Sequence, residues 1–156
     1  MVFAWLGDVL LQVGSDYFTF GLASFLIMQL IYAFVFAKDW KSNVLTVLLS
    51  LATLIGYSLY LINYLWDFLF GDKLPVIVYT IAITLMAFTA INRSGQVKGY
   101  SYVVIGVLLF VFSDTVLAVN NFGPGFQYGG LAVMITYVTA QYLIVEGYAK
   151  HLRSLV

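Results

Sequence analysis

The sequence predicts an all-α fold, a polytopic bundle of transmembrane helices with five full spans and a short N-terminal partial span. Three observations predict it. First, 63% of the 156 residues are hydrophobic and 9% are charged, with a mean hydropathy of +0.99. A soluble domain carries about 25% charged residues. A fold of this size cannot cover so much apolar surface with polar side chains, so its solvent is lipid. Second, a spanning helix needs about 20 apolar residues, and residues 17–37, 43–66, 74–92, 99–119 and 126–148 each supply such a run. Third, the stretches between runs are short and polar. They leave no room for a soluble domain, so residues 1–156 read as one helical unit.

The elements follow in order. Residues 1–13 are too short to cross about 30 Å of hydrocarbon at about 1.5 Å per residue. They read as the end of a span whose beginning lies upstream or comes from a neighbouring subunit, which leaves a homo-oligomer open. They lack the basic residues of a signal peptide, and Asp8 interrupts their apolar run. Span 17–37 ends at the charged turn Lys38-Asp39-Trp40-Lys41. After span 43–66, Gly71-Asp72-Lys73-Leu74-Pro75 puts proline in the first turn of span 74–92, where its missing N–H is harmless. A second charged turn, Arg93 to Lys98, leads into span 99–119. The turn-forming cluster Asn120-Asn121-Phe122-Gly123-Pro124-Gly125 separates it from span 126–148. Gly99, Gly106, Gly129 and Gly130 are expected at helix contacts.

Alternating threading puts Lys38, Lys41, Arg93, Lys98, Lys150 and Arg153 on one side of the membrane and only Lys73 on the other. The positive-inside bias then makes both termini cytoplasmic. Small size and the absence of targeting signals favour a bacterial cell membrane. His151 belongs to the basic tail and reads as solvated, and Glu146 with Lys150 at i+4 reads as a surface ion pair.

Missing reagents narrow the chemistry. Zero net charge gives nothing to attract nucleic acid, and without cysteine there is no disulfide or thiolate. A single histidine, in the tail, excludes the usual intramembrane zinc site, so neither metal nor cofactor is expected. No Gly-x-Ser-x-Gly elbow and no phosphate-cradling glycine loop is present. Carboxylates remain, with amides and phenols in support. Asp8 and Asp114 sit inside apolar runs, where a charge at mid-helix costs about 2.5–3.5 kcal/mol. Near a helix end such a residue either snorkels or caps a neighbour, or it works in a site.

Threading places both aspartates in the outer halves of outward-running helices. Asn63 and Tyr79 fall near the outer face, Gln29 and Tyr137 near mid-depth, and Gln141 one turn deeper. Phe110, Asp114, Leu117 and Asn121 share one helical face, as do Phe25, Gln29, Tyr32 and Phe36. This threading leaves room for an outward-opening polar cavity without contorting any helix. Gln29 and Gln141 serve either that cavity or as interhelical hydrogen bonds, worth about 0.6–2 kcal/mol.

Five stretches resemble the YhhN family of polytopic membrane proteins, whose characterised members are lysoplasmalogenases. They are Leu6-Gly7-Asp8-Val9-Leu10-Leu11; Phe20 to Leu26 continuing to Tyr32; Pro75-Val76-Ile77-Val78-Tyr79 with Met86; Phe112-Ser113-Asp114 with Leu117-Ala118; and Tyr137-Val138-Thr139-Ala140-Gln141 with Leu143-Ile144. The order, and the intact Gly-Asp, Ser-Asp and Tyr-x-x-Ala-Gln elements, give the resemblance its specificity. Two departures accompany it. Family members typically carry further spans before the Gly-Asp element, and they commonly have a histidine where this sequence has Gln29.

The resemblance implies hydrolysis of the vinyl ether bond of lysoplasmalogens, with a lysophospholipid substrate held in the bilayer. Protonation of the β-carbon gives an oxocarbenium ion that water captures, and the hemiacetal collapses to a fatty aldehyde and a glycerophospho-headgroup. One carboxyl donates the proton while a second, ionised one stabilises the cation and activates water, as in glycosidases. Asp8 and Asp114 are the catalytic candidates, with Gln29, Asn63, Tyr79, Tyr137 and Gln141 as substrate-binding residues. Two other classes stand beside it: a small carrier and an inactive lipid-binding protein. The carrier draws on an echo between Gly7-Asp8-x-x-Leu11 with Gln29 and Ser113-Asp114-x-x-Leu117 with Gln141. Gln29, in place of histidine, favours the inactive protein.

Overall fold

Each of the five long apolar runs becomes a helix. The computed structural model describes Gly7, Val9 and residues 18–155. Its helices are α1 (Phe18–Ala37), α2 (Val44–Leu65), α3 (Lys73–Ile91), α4 (Tyr100–Phe122) and α5 (Gly129–Arg153). All five are long and apolar enough to cross a membrane, and the described residues form no strand beyond one isolated bridge, Trp40 to Arg93. The chain is therefore an all-α membrane bundle. The short segment 1–13 lies outside the described residues except for Gly7 and Val9.

Local chemistry sets the ends. Asn43 caps α2, its side chain accepting from the Thr46 N–H at 2.8 Å. Pro75 lies in the first turn of α3 as expected. Gly99 precedes α4 with φ +79°, a conformation that a side chain would strain. Contrary to the predicted turn at Asn120-Asn121, α4 runs on through Phe122. The Asn120 carboxamide accepts from the Phe126 N–H at 3.1 Å, so it organises the turn while its own backbone stays helical. Accordingly α5 starts at Gly129 rather than 126, and it continues to Arg153 with Lys150, His151 and Arg153 in its last turn.

Small residues bring α4 and α5 together in an antiparallel pair. A Cβ on Gly106 would stand 2.9 Å from the Ala140 carbonyl, and one on Gly147 would stand 2.9 Å from that of Gly99. Buried Ser113 donates to the Val133 carbonyl at 3.1 Å. Gly99, Gly106 and Ser113 climb α4 in steps of seven while Gly147, Ala140 and Val133 descend α5 in the same steps. That is the repeat of a left-handed helix pair. Gly99, Gly106 and Gly129 thus sit at close contacts as expected, whereas Gly130 faces open space.

The most enclosed helix is α3, packed against α1, with Met86, Ala87 and Ala90 fully buried. By contrast α2 stands at the margin. It buries only Ser50 and Leu54 toward one end and Leu65 at the other. Leu65 joins Leu69, Val76, Ala118, Val119 and Phe122 in a second apolar cluster. The wide exposure of Leu45, Leu48, Leu59 and Ile135 marks faces turned to lipid.

The basic end of the bundle is more than a pair of charged turns. Arg93 is 2% exposed. Its Nε and Nη2 both donate to Asp39 Oδ2, at 3.2 and 2.7 Å. His151 Nε2 lies 3.4 Å from Asp39 Oδ1. The Lys41 N–H donates to the Asn92 carbonyl and the Ser94 N–H to that of Asp39, joining the two loops. His151 is thus part of a clamp between α5 and the α1–α2 loop instead of a free tail. Glu146 does pair with Lys150 across one turn, at 3.9 Å.

Candidate active site

Asp114 is the one predicted catalytic residue among those described, and three helices meet on it. Tyr79 of α3 donates its phenol to Asp114 Oδ2 at 2.5 Å. Gln29 of α1 donates Nε2 to the same oxygen at 3.4 Å. Asp114 Oδ1 has no hydrogen-bond partner among the described residues, and neither does Gln29 Oε1, which is fully buried. A carboxyl group with one oxygen anchored and the other open is suited to giving or taking a proton there. Helical spacing explains the convergence. Tyr79 is on the buried face of α3 with Val76, Ile83 and Met86, and Gln29 is on that of α1 with Phe25, Ala33 and Phe36.

Asp114 lines a groove between α2, α3 and α4. Its walls are almost wholly apolar: Leu54, Leu61, Ile62 and Leu65 of α2; Val76 and Ile83 of α3; Val111, Leu117, Ala118 and Phe122 of α4. Polar groups gather near Asp114, namely Tyr57, Ser58, Thr80, Thr84 and Thr115, with Asn121 two turns along α4. An apolar groove with one carboxyl group among a few hydroxyls suits an apolar ligand more than a polar one.

The other predicted residues divide. Tyr137 of α5 wedges its ring between Phe25, edge-on at 5.8 Å and 86°, and Phe110, at 5.8 Å and 55°. Phe25 and Phe110 are each one turn from a member of the Gln29–Asp114 pair, so Tyr137 adjoins the site. Gln141 is engaged elsewhere. Its Oε1 accepts from Tyr32 at 3.0 Å and its Nε2 points to Met28 Sδ at 3.3 Å. It ties α5 to α1, the interhelical role that its type allows. Asn63 is exposed on α2 and does not line the groove. Asp8 lies outside the described residues. Gly7, the residue before it, is buried so closely on Phe25 that a Cβ there would come within 2.7 Å of the ring.

Sequence reading passed over Tyr57, Ser58, Thr84 and Thr115. Such hydroxyls are ordinary in membrane helices, where they bond back to their own backbone, as Thr84 does to Thr80 O at 2.6 Å and Thr115 to Val111 O at 2.8 Å. One signal was available. Ser58, Leu61, Ile62 and Leu65 share one face of α2, and Thr80 and Thr84 stand one turn apart on α3. Among the described residues no cluster of metal-ligating side chains occurs.

The sequence matches the model of the YhhN family over residues 1–148. The chain belongs to the YhhN family. Among curated proteins, this YhhN member is 34% identical over 138 residues to lysoplasmalogenase TMEM86B of Sus scrofa, covering 88% of this chain and 56% of that protein. It is 30% identical over 145 residues to lysoplasmalogenase TMEM86B of Mus musculus, with 93% and 59% covered. It thus spans little more than half the length of these relatives. No solved structure matches it.

Proposed function

We propose that this YhhN member is an intramembrane ether-lipid hydrolase that cleaves the vinyl ether bond of a lysoplasmalogen, giving a fatty aldehyde and a glycerophospho-headgroup. One observation carries the reading. Asp114, anchored by Tyr79 and Gln29, opens onto an apolar groove among helices able to span a membrane. The names of the curated relatives point the same way.

The chemistry follows from the groups at hand. The alkenyl chain lies along the groove with its double bond at Asp114. A carboxyl proton goes to the β-carbon, the C=C π bond supplies the electrons, and the positive charge spreads over the α-carbon and the ether oxygen. Water adds to the α-carbon and loses a proton to a carboxylate. The hemiacetal then breaks its C–O bond to the glycerol, leaving an aldehyde and an alcohol. The net change is the addition of one water. Tyr79 and Gln29 fix the orientation of Asp114. Asp8 serves as the second carboxyl group; its support is the packing of Gly7 on Phe25, one turn from Gln29. Tyr137 packs on Phe25 and Phe110, one turn from Gln29 and Asp114, and supports the site from behind.

The surrounding assignments belong to the same proposal. The protein sits in a bacterial cell membrane with both termini cytoplasmic, supported by six basic residues on one side against Lys73 on the other. The groove then opens in the outer half of the bilayer.

The test compares two lipids. Purified protein in detergent is given a lysoplasmalogen and, separately, the saturated alkyl ether analogue, which has no C=C π bond to take up a proton. Aldehyde released from the first alone supports the reading. No aldehyde from either, with the protein folded, refutes it.

A further inference from the structure

We propose that the gap between α2 and α4 is the port through which a single-chain lipid reaches Asp114 sideways from the bilayer, with Tyr57 and Thr115 as its latch. The occupant is taken from the hydrolase reading above. The route is argued from packing.

Leu54 and Ile83 line the groove toward the basic end, and Leu65 and Val76 toward the other, all buried. Buried side chains at both extremities favour entry of a long chain from the side. On one side α1 packs tightly against α3. On the other, α2 is fixed at its extremities and stands off between them: residues 55–64 include no buried side chain. Along that stretch two consecutive hydroxyls hold it. Tyr57 lies 2.5 Å from Thr115 Oγ1 on α4, and Ser58 lies 2.7 Å from Thr84 Oγ1 on α3.

The proton count fixes the direction of both bonds. Each threonine has one hydroxyl proton and gives it to its own helix, Thr115 to Val111 O and Thr84 to Thr80 O. Tyr57 and Ser58 are therefore the donors. Within this stretch the Tyr57–Thr115 bond alone spans the α2–α4 gap, one residue from Asp114. Tyr57 is exposed and Thr115 half-buried, both at the rim of the groove, so the bond can break without opening the core. Gly56 adds compliance to α2 at that point. Nothing lies within 4 Å of where its Cβ would be, so it serves no close packing, while glycine weakens a helix. Sideways access also lets a polar headgroup remain in the interface while the chain slides between the helices.

The test uses the absence of cysteine from the chain. Tyr57→Cys with Thr115→Cys introduces the only two thiols, which a short bifunctional thiosulfonate bridges and a reductant releases. In vesicles, a lysophosphatidylethanolamine with a diazirine midway along its chain is photolysed, and label is read on peptides containing Leu61 and Ala118. Bridging is expected to cut that label at least tenfold, and reduction to restore it. Tyr57→Phe, which keeps the ring, is expected to label about threefold faster, the shift that a typical hydrogen bond between membrane helices accounts for. Equal labelling with and without the bridge overturns the port, as does an unbridged protein labelled only outside the groove. An unchanged rate in Tyr57→Phe overturns the latch. If the bridge blocks labelling but no aldehyde forms from lysoplasmalogen in the unbridged protein, the port stands and the hydrolase reading falls.

Discussion

Replacing Tyr79 by phenylalanine removes one atom from the centre of the site and leaves the packing intact. The ring is buried, and the hydroxyl it loses is the shorter of the two bonds to Asp114 Oδ2, 2.5 Å against 3.4 Å from Gln29. A hydrogen bond to a charged group contributes about 1.5–3 kcal/mol, whereas one between membrane helices averages about 0.6 and reaches about 1.7. The expected loss of stability is therefore about 1–2 kcal/mol. The kinetic effect should be larger. Without the phenol, Asp114 turns about a single weak bond, and misplacement of a catalytic group by about 1 Å costs up to about 100-fold in rate. The account predicts kcat down about 10- to 100-fold with KM nearly unchanged, because the phenol acts on Asp114 and not on the lipid. Initial rates of aldehyde release across a substrate series, alongside thermal unfolding in detergent, measure both quantities. A variant less stable yet equal in kcat would make Tyr79 purely structural. No change in either would mean that the bond to Asp114 is absent.

Further expectations follow from single contacts. Gln29→Leu removes a long hydrogen bond and also a buried carbonyl oxygen that has no partner among the described residues, so stability should change by less than about 1 kcal/mol while kcat falls. Unfolding and rate measurements on one preparation decide this. Gly106→Val drives a side chain into the Ala140 carbonyl and Ile144, which should cost about 1–3 kcal/mol in thermal unfolding. Arg93→Met leaves Asp39 facing only His151 and should cost about 3 kcal/mol, read the same way. Gly71 and Gly95 both face open space. A membrane-impermeant maleimide on intact cells should therefore label Gly71→Cys and spare Gly95→Cys, and the reverse pattern would invert the topology.

What could be read from sequence follows from which forces act on one residue at a time. Transfer into lipid acts residue by residue, so the five spans and the prolines and glycines that punctuate them are plain. The faces are not. Helix α3 is apolar all round, and only the structure shows that it is the most enclosed span while α2 is nearly bare. Asp114, Tyr79 and Gln29 could each be singled out as polar residues in apolar runs, and they do meet. Arg93 and His151 could not be, because a charged residue beside a loop looks solvated whether or not Asp39 waits for it. The Tyr57–Thr115 and Ser58–Thr84 pairs escape for another reason. Each hydroxyl has an alternative partner in its own backbone, so nothing in sequence says which reach across.

The central claim is that Asp114, with Asp8 as the second carboxyl group, hydrolyses a vinyl ether inside the membrane. Aldehyde release from lysoplasmalogen by wild type, Asp114→Asn and Asp8→Asn tests it most directly. Asparagine keeps an oxygen to accept from Tyr79 and Gln29, so the Asp114→Asn fold should survive. The account predicts that each variant stays folded and loses about 10²- to 10⁴-fold in rate, the usual contribution of a positioned acid or base. Activity retained by a folded Asp114→Asn would contradict it.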